Sequence, residues 1–123
     1  MFRTSKLVVS LIVVFVLVAS LVSAQEAATV TKGRRLFNAY CSGCHSIGGG
    51  VIVGPDLKAV TERRTVGWLV DFISSPARML REKDRTAVDL VSRFDGYLMP
   101  SLGLSKANIE DVIAYLKSVA PNR

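Results

Sequence analysis

The two cysteines and the only histidine of this 123-residue chain stand together, as Cys41-Ser42-Gly43-Cys44-His45. Two thiols three positions apart lie about one helical turn from each other, so both can face one bound object. The imidazole that follows directly can reach the same object. This spacing reads as a site where two thiols form thioethers with the vinyl groups of a haem and the histidine ligates the iron. Other uses of CxxC fit less well. A thioredoxin-like redox dithiol needs a βαβ setting, and no convincing strand pattern is present. A structural zinc site needs four Cys or His ligands, and the chain has three such residues in all. A plain disulfide is the default in an exported protein, but thioether formation consumes both thiols.

The N-terminus bears on where such a site operates. Leu7 to Val22 is apolar except for two serines, Arg3 and Lys6 precede it, and Val22-Ser23-Ala24 closes it with small residues. A basic start, an apolar centre and a small-residue end describe a secretory signal peptide, residues 1–24, cut after Ala24. The alternative is an uncleaved anchor, since 16 apolar residues fall only slightly short of the about 20 that span a bilayer. Either way the remainder lies outside the cytoplasm. Residues 25–30 read as a short linker and 31–123 as one domain. Without Arg3 and Lys6, 14 basic residues face 10 acidic ones, a net charge of +4. That balance suits acidic partner surfaces and, with no aromatic-basic interleaving, gives no case for nucleic acid.

The hydrophobic periodicity predicts an all-α domain. A first helix starts at Thr31 and runs close to Cys41, with Val30, Gly33, Phe37 and Tyr40 on one face. Gly48-Gly49-Gly50 and Gly54-Pro55-Asp56 break regular structure. A second helix lies within Thr65 to Ser74 and ends at Ser75-Pro76. Arg81 to Arg85 reads as a charged loop. A third helical stretch, Ala87 to Phe94, turns Val88, Val91 and Phe94 inward. The last helix has Ser105 as N-cap, accepting from the amide of Asn108. Leu104 and Ile109 staple its start, and Ile109, Val112, Ile113 and Leu116 form its apolar stripe. Pro121 prevents continuation. Loops this long in about 99 residues need something to pack around, and a haem supplies it.

Because His45 is the only histidine, the sixth iron ligand cannot be a second one from this chain. A methionine thioether, a lysine amine, a small ligand or nothing remain. Outside the N-terminal segment the thioethers are Met79 and Met99. Met99 has the better setting, in a loop between helices with its backbone restrained by Pro100. Met79 suits gap filling.

In this order the residues resemble class I c-type cytochromes, the small monohaem cytochrome c family. The resemblance covers residues 30–119: Gly33 and Phe37, CxxCH at 41–45, Gly54-Pro55-Asp56-Leu57, Trp68-Leu69 with Phe72-Ile73, Met99-Pro100, and Tyr115-Leu116 on the closing helix. It implies a cytochrome c fold of three to five helices wrapped around one covalently attached haem. Cys41 and Cys44 would hold the haem, with His45 and Met99 as metal ligands. Gly33 and Phe37 would cross the last helix near Tyr115. The Pro55 carbonyl would fix the His45 ring. Leu57, Trp68, Leu98 and Leu102 would line the pocket, Trp68 by packing or by reaching a propionate. The segment Arg81 to Arg85 departs from compact members. The implied function is single-electron transfer between respiratory redox partners, a donor and an acceptor, with a terminal reductase or oxidase among the candidates. The implied place is the periplasm of a bacterium. With both axial positions filled the chain is expected to be a carrier and not an enzyme. A haem sensor with an open sixth site and a thiol-disulfide enzyme are the competing readings.

Overall fold

Gly33 decides how the two longest helices meet. The computed structural model describes residues 2–120, and among them six helices form and no strand. Pro121, expected to end the last helix, lies outside the described residues. Helix α1 spans Phe2–Tyr40 and crosses α6, Lys106–Ser118, so closely that a Cβ on Gly33 would lie 1.9 Å from the Asp111 carbonyl oxygen. Phe37 and Tyr115 meet at this crossing with ring centroids 5.7 Å apart, and Lys32 Nζ pairs with Asp111 Oδ2 at 2.6 Å. The crossing expected from the family resemblance is therefore present. The buried stripe of α1 is Gly33, Phe37 and, one turn on, Cys41. Tyr40, expected on that face, is exposed because it lies one residue off this i, i+4, i+8 line.

Residues 25–30, expected to form a linker, are helical and continue α1 without a break. The alanines and Gln25-Glu26 favour helix, and the Thr29 hydroxyl bonds back to the Gln25 carbonyl at 3.0 Å. The large apolar side chains from Leu7 to Val22 are exposed on every side of the helix.

The remaining helices are short. Helix α2 covers Val60–Arg63. Helix α3 covers Val66–Ser74, with Thr65 as N-cap accepting from Trp68 N. Pro76 opens α4, Pro76–Arg81, where a proline lacks no needed donor. Asp84 caps α5, Arg85–Arg93, accepting from Ala87 N. Helix α6 starts as expected, with Ser105 Oγ accepting from Asn108 N at 3.2 Å. Ile109, Val112, Ile113 and Leu116 are all buried, and Leu104 packs on this core. On α5 the inward stripe is Ala87, Leu90, Val91 and Phe94. Val88, expected inward, is 43% exposed. The small Ala87 is fully buried instead, because its methyl lets α5 lie close to its neighbours where an isopropyl group would hold it away.

Candidate functional site

Helix α1 delivers the cysteines. Its last turn continues as a tight turn in which Cys41 N donates to Phe37 O at 2.8 Å and His45 N to Cys41 O at 2.9 Å. Cys41 is buried and Cys44 half-buried, and neither forms a disulfide. Burial, with the second thiol beside it, pushes the Cys41 thiol up to about 11. It is therefore a protonated thiol at neutral pH and not a thiolate nucleophile.

The loop after His45 is built around the imidazole. His45 Nδ1 lies 2.8 Å from the Pro55 carbonyl oxygen. A carbonyl only accepts, so Nδ1 carries the proton and the Nε2 lone pair is left for a metal. Gly54 presses on the ring face: a Cβ there would stand 2.5 Å from His45 Cε1. Two further bonds hold this edge, from Gly54 N at 2.8 Å and Val53 N at 3.3 Å to the Cys44 carbonyl. Asp56 completes the loop. Its carboxylate accepts from Gly48 N at 2.7 Å, Gly50 N at 2.9 Å and Lys58 N at 2.8 Å. These amides hold its carboxyl below the usual carboxylate range.

Cys41, Cys44 and His45 line a mainly apolar cavity of about 330 Å³. Its floor includes Val60, Leu69, Val112 and Leu116, all buried on the core side. Of the residues expected to serve the site, Pro55, Leu57, Trp68 and Met99 line this cavity as well. Leu98 and Leu102 are half-buried but stand outside its lining. In this irregular segment Tyr97, Met99 and Pro100 line the cavity and Leu98 does not. Met79 is buried under α4 and takes no part in the lining, as its gap-filling role predicts.

Trp68 stacks on Phe72, with centroids 4.9 Å apart and planes 10° apart, and the Arg64 guanidinium lies 5.6 Å from its ring centre. Its indole N–H, which either packing or a propionate contact would have explained, donates to Asp84 Oδ1 at 3.1 Å. The charged stretch Arg81 to Arg85 is thus not a plain loop but an N-cap that also ties down the pocket tryptophan. The Ala87 amide and then the Trp68 N–H hold the Asp84 carboxyl below its ordinary value, against the opposing effect of desolvation. Gly54, Asp56, Asp84, Arg63, Arg64 and Arg93 are site residues that sequence reading did not assign. For Asp84 the signal was available, since an Asp directly before a helical pattern is an N-cap candidate.

The donors suit a haem. Two thiols, an imidazole with Nε2 free and a thioether surround one apolar cavity, whose lining also includes Arg63, Arg64 and Arg93; the Arg93 guanidinium pairs with Asp89 and that of Arg63 donates to the Lys58 and Asp56 carbonyls. The one carboxylate in the lining, Asp56, is already engaged by three amides. Among the described residues no group of three or more His, Cys, Asp or Glu could hold a bare metal ion.

Comparison with known proteins agrees with this chemistry. A family profile described as "Cytochrome c" matches residues 30–120. A cytochrome c from Rhodothermus marinus is similar at 31% identity and a TM-score of 0.71, over 76% of this chain and 78% of that one. The cytochrome c domain of the pp3183 protein from Pseudomonas putida is similar at 34% identity and a TM-score of 0.62, over 70% and 85%. An engineered Rhodothermus marinus cytochrome c bound to a carbene intermediate is similar at 31% identity and 0.68, over 78% and 80%. A search of curated proteins found no significant match.

Proposed function

The chain belongs to the cytochrome c family, whose members bind haem c covalently, and we propose that it is an exported monohaem electron carrier with His45 and Met99 as axial ligands. One observation carries the ligand assignment. The Pro55 carbonyl holds His45 Nδ1 at 2.8 Å and leaves Nε2 free, in the cavity that Met99 lines and Met79 does not.

Haem c, when bound, supplies a one-electron ferric/ferrous couple. The protein's own residues set how that couple behaves. The Pro55 carbonyl makes His45 a better donor and fixes its ring plane. Met99 would supply a thioether, a soft ligand that would favour the ferrous state and raise the potential. Val60, Leu69, Val112 and Leu116 keep water from the cavity floor, which disfavours the more highly charged oxidised form. With His45 and Met99 both holding the group, little in the chain would have to rearrange between oxidation states, and no position would stay open for a substrate. These features support a carrier and not a catalyst.

The partners are redox proteins, a donor and an acceptor, for which a terminal respiratory reductase or oxidase is the natural acceptor class. The exposed apolar stretch preceded by Lys6 supports export, with cutting after Ala24 and the domain in the periplasm. An uncleaved segment would keep the same domain at the membrane surface.

The test is absorbance spectroscopy of protein matured by a periplasmic haem-attachment system. Haem should stay with the polypeptide through guanidinium denaturation. The folded reduced protein should bind carbon monoxide poorly, because the sixth position is taken. Ready carbon monoxide binding would replace the carrier reading with an open-site sensor, and titratable thiols without haem would point to a dithiol enzyme.

A further inference from the structure

Met99 stands in a stretch that regular structure does not hold. The chain leaves α5 through Asp95 and Gly96, with φ of +52° and +82°. Gly96 N donates to Val91 O at 2.9 Å and Tyr97 N to Phe94 O at 2.8 Å, which closes that helix end. At the other end Ser105 caps α6. Between them, residues 98–104 make no backbone–backbone hydrogen bond among the described residues. Fixing free backbone costs entropy, so a side chain in this stretch stays in place only if something else ties the segment down.

One side-chain bond does so. The Ser101 hydroxyl donates to the Ser74 carbonyl at 3.1 Å, across 27 residues of sequence. Among the described residues, the other hydroxyls that donate to a carbonyl reach only three or four positions along the chain. The acceptor is available because α3 ends there. Ser75 leaves the helical conformation, with φ −155° and ψ 78°, and Pro76 has no amide hydrogen to offer. Arg78 N, which would reach Ser74 O in a continued helix, donates to Ser75 O at 3.1 Å. A carbonyl at a helix end needs such an outside donor.

This bond ties the Met99 segment to one wall of the cavity. Ser74 follows Ile73 directly, and α3 supplies Trp68, Leu69, Phe72 and Ile73 to the lining. Met99 and Pro100 belong to the same lining. Pro100 stiffens the link between the anchored serine and the methionine. Its ring locks its own φ and turns Met99 away from helical backbone. Few free torsions then separate Ser101 from Met99.

We infer that Ser101 is the positioning residue for Met99: its hydroxyl, held by the end of α3, keeps the thioether where the iron would meet it. Ser101 is itself exposed and outside the cavity lining, so it acts only through its neighbour. This inference rests on the reading of Met99 as ligand.

The test uses the ferric holoprotein with imidazole as the probe. A ring nitrogen of imidazole takes the iron position that the Met99 sulfur leaves, with no change in oxidation state, and absorbance reads the exchange. Ser101→Ala should bind imidazole about fivefold more tightly, since fivefold is about 1 kcal/mol, the net worth of one hydrogen bond. Ser101→Thr keeps the hydroxyl and should bind imidazole as the unmutated protein does. Ser118→Ala is the matched control: that exposed hydroxyl also donates to a carbonyl, of Tyr115 at 2.7 Å, and its loss should leave imidazole affinity unchanged. A serine that only stabilised the fold would lower the guanidinium midpoint without moving this affinity. Unchanged affinity in Ser101→Ala, an equal gain in Ser118→Ala, or an equal gain in Ser101→Thr overturns the positioning role and leaves Met99 as ligand. A ferric unmutated protein without the far-red iron–sulfur band would instead refute the Met99 reading, and the positioning role with it.

Discussion

Replacing Gly33 by alanine should destabilise the protein although it improves the local helix. The added carbon would fall 1.9 Å from the Asp111 carbonyl oxygen, 2.6 Å from its carbonyl carbon and 2.9 Å from Tyr115 Cβ. Unstrained contacts between such atoms need about 3.5 Å, so α1 and α6 must part by about 1.5 Å. The first atom met is backbone, which cannot swing aside as a side chain could. Overpacking of this kind costs about 1–3 kcal/mol, and separation also loosens the Phe37–Tyr115 contact and the Lys32–Asp111 pair. Alanine recovers about 1 kcal/mol through its higher helix propensity. The backbone clash places the cost near its upper end, for a net loss of about 2 kcal/mol. For a domain near 100 residues that lowers Tm by about 8–16 °C. Guanidinium titration of the holoprotein, followed by far-ultraviolet circular dichroism and by haem absorbance, measures it, and the covalent haem keeps the transition free of cofactor loss. The opposing signs make the result decisive: a midpoint equal to or above that of the unmutated protein would refute the close crossing.

The other predictions concern the site. Gly54→Ala should push the His45 ring off its Pro55 partner and give a high-spin component in the haem spectrum. Gly67→Ala, whose new carbon meets nothing within 4 Å, should not. Asp84→Ala removes an N-cap, worth about 1 kcal/mol, and leaves the half-buried Trp68 N–H without its partner, for a total loss of about 2–3 kcal/mol. Asp84→Asn should retain most of that stability, as guanidinium titration would show. Because folding lowers the Asp56 carboxyl below its ordinary 3.8, its contribution to stability is complete above about pH 4 and disappears as pH falls through the depressed folded value. Denaturation midpoints measured downward from pH 6 should therefore fall more steeply at the acid end for the unmutated protein than for Asp56→Asn.

How far the site could be read in advance followed the range of the interactions. Contacts set by local spacing were legible: the CxxCH turn, the Ser105 cap and the stripe on α6 depend on residues within one or two turns. The Pro55–His45 bond and the Gly33 crossing were reached through family resemblance, since nothing local reveals which backbone a glycine touches. What escaped depended on tertiary partners or on size. Ala87 was passed over for the larger Val88, yet close packing selected the smaller residue. Asp84 looked like one charge in a charged loop: its cap bond from Ala87 N is local and could have been read, but its bond from Trp68 Nε1, 16 residues away, exists only in the folded chain. Helices α2 and α4 are too short to show a period. Leu98 resembled a pocket residue by its neighbourhood to Met99, but in an irregular segment no period tells which side chains face the cavity.

The most direct test of the account is the identity of the sixth ligand, read from optical spectra of the oxidised and reduced holoprotein and of Met99→Ala and Met79→Ala. The account predicts low-spin spectra in both states for the unmutated protein, with the weak far-red band of an iron–sulfur bond when oxidised. That band should vanish in Met99→Ala, which should then bind carbon monoxide readily, and should survive in Met79→Ala. Survival of the band in Met99→Ala, or a high-spin spectrum in the unmutated protein, would contradict it.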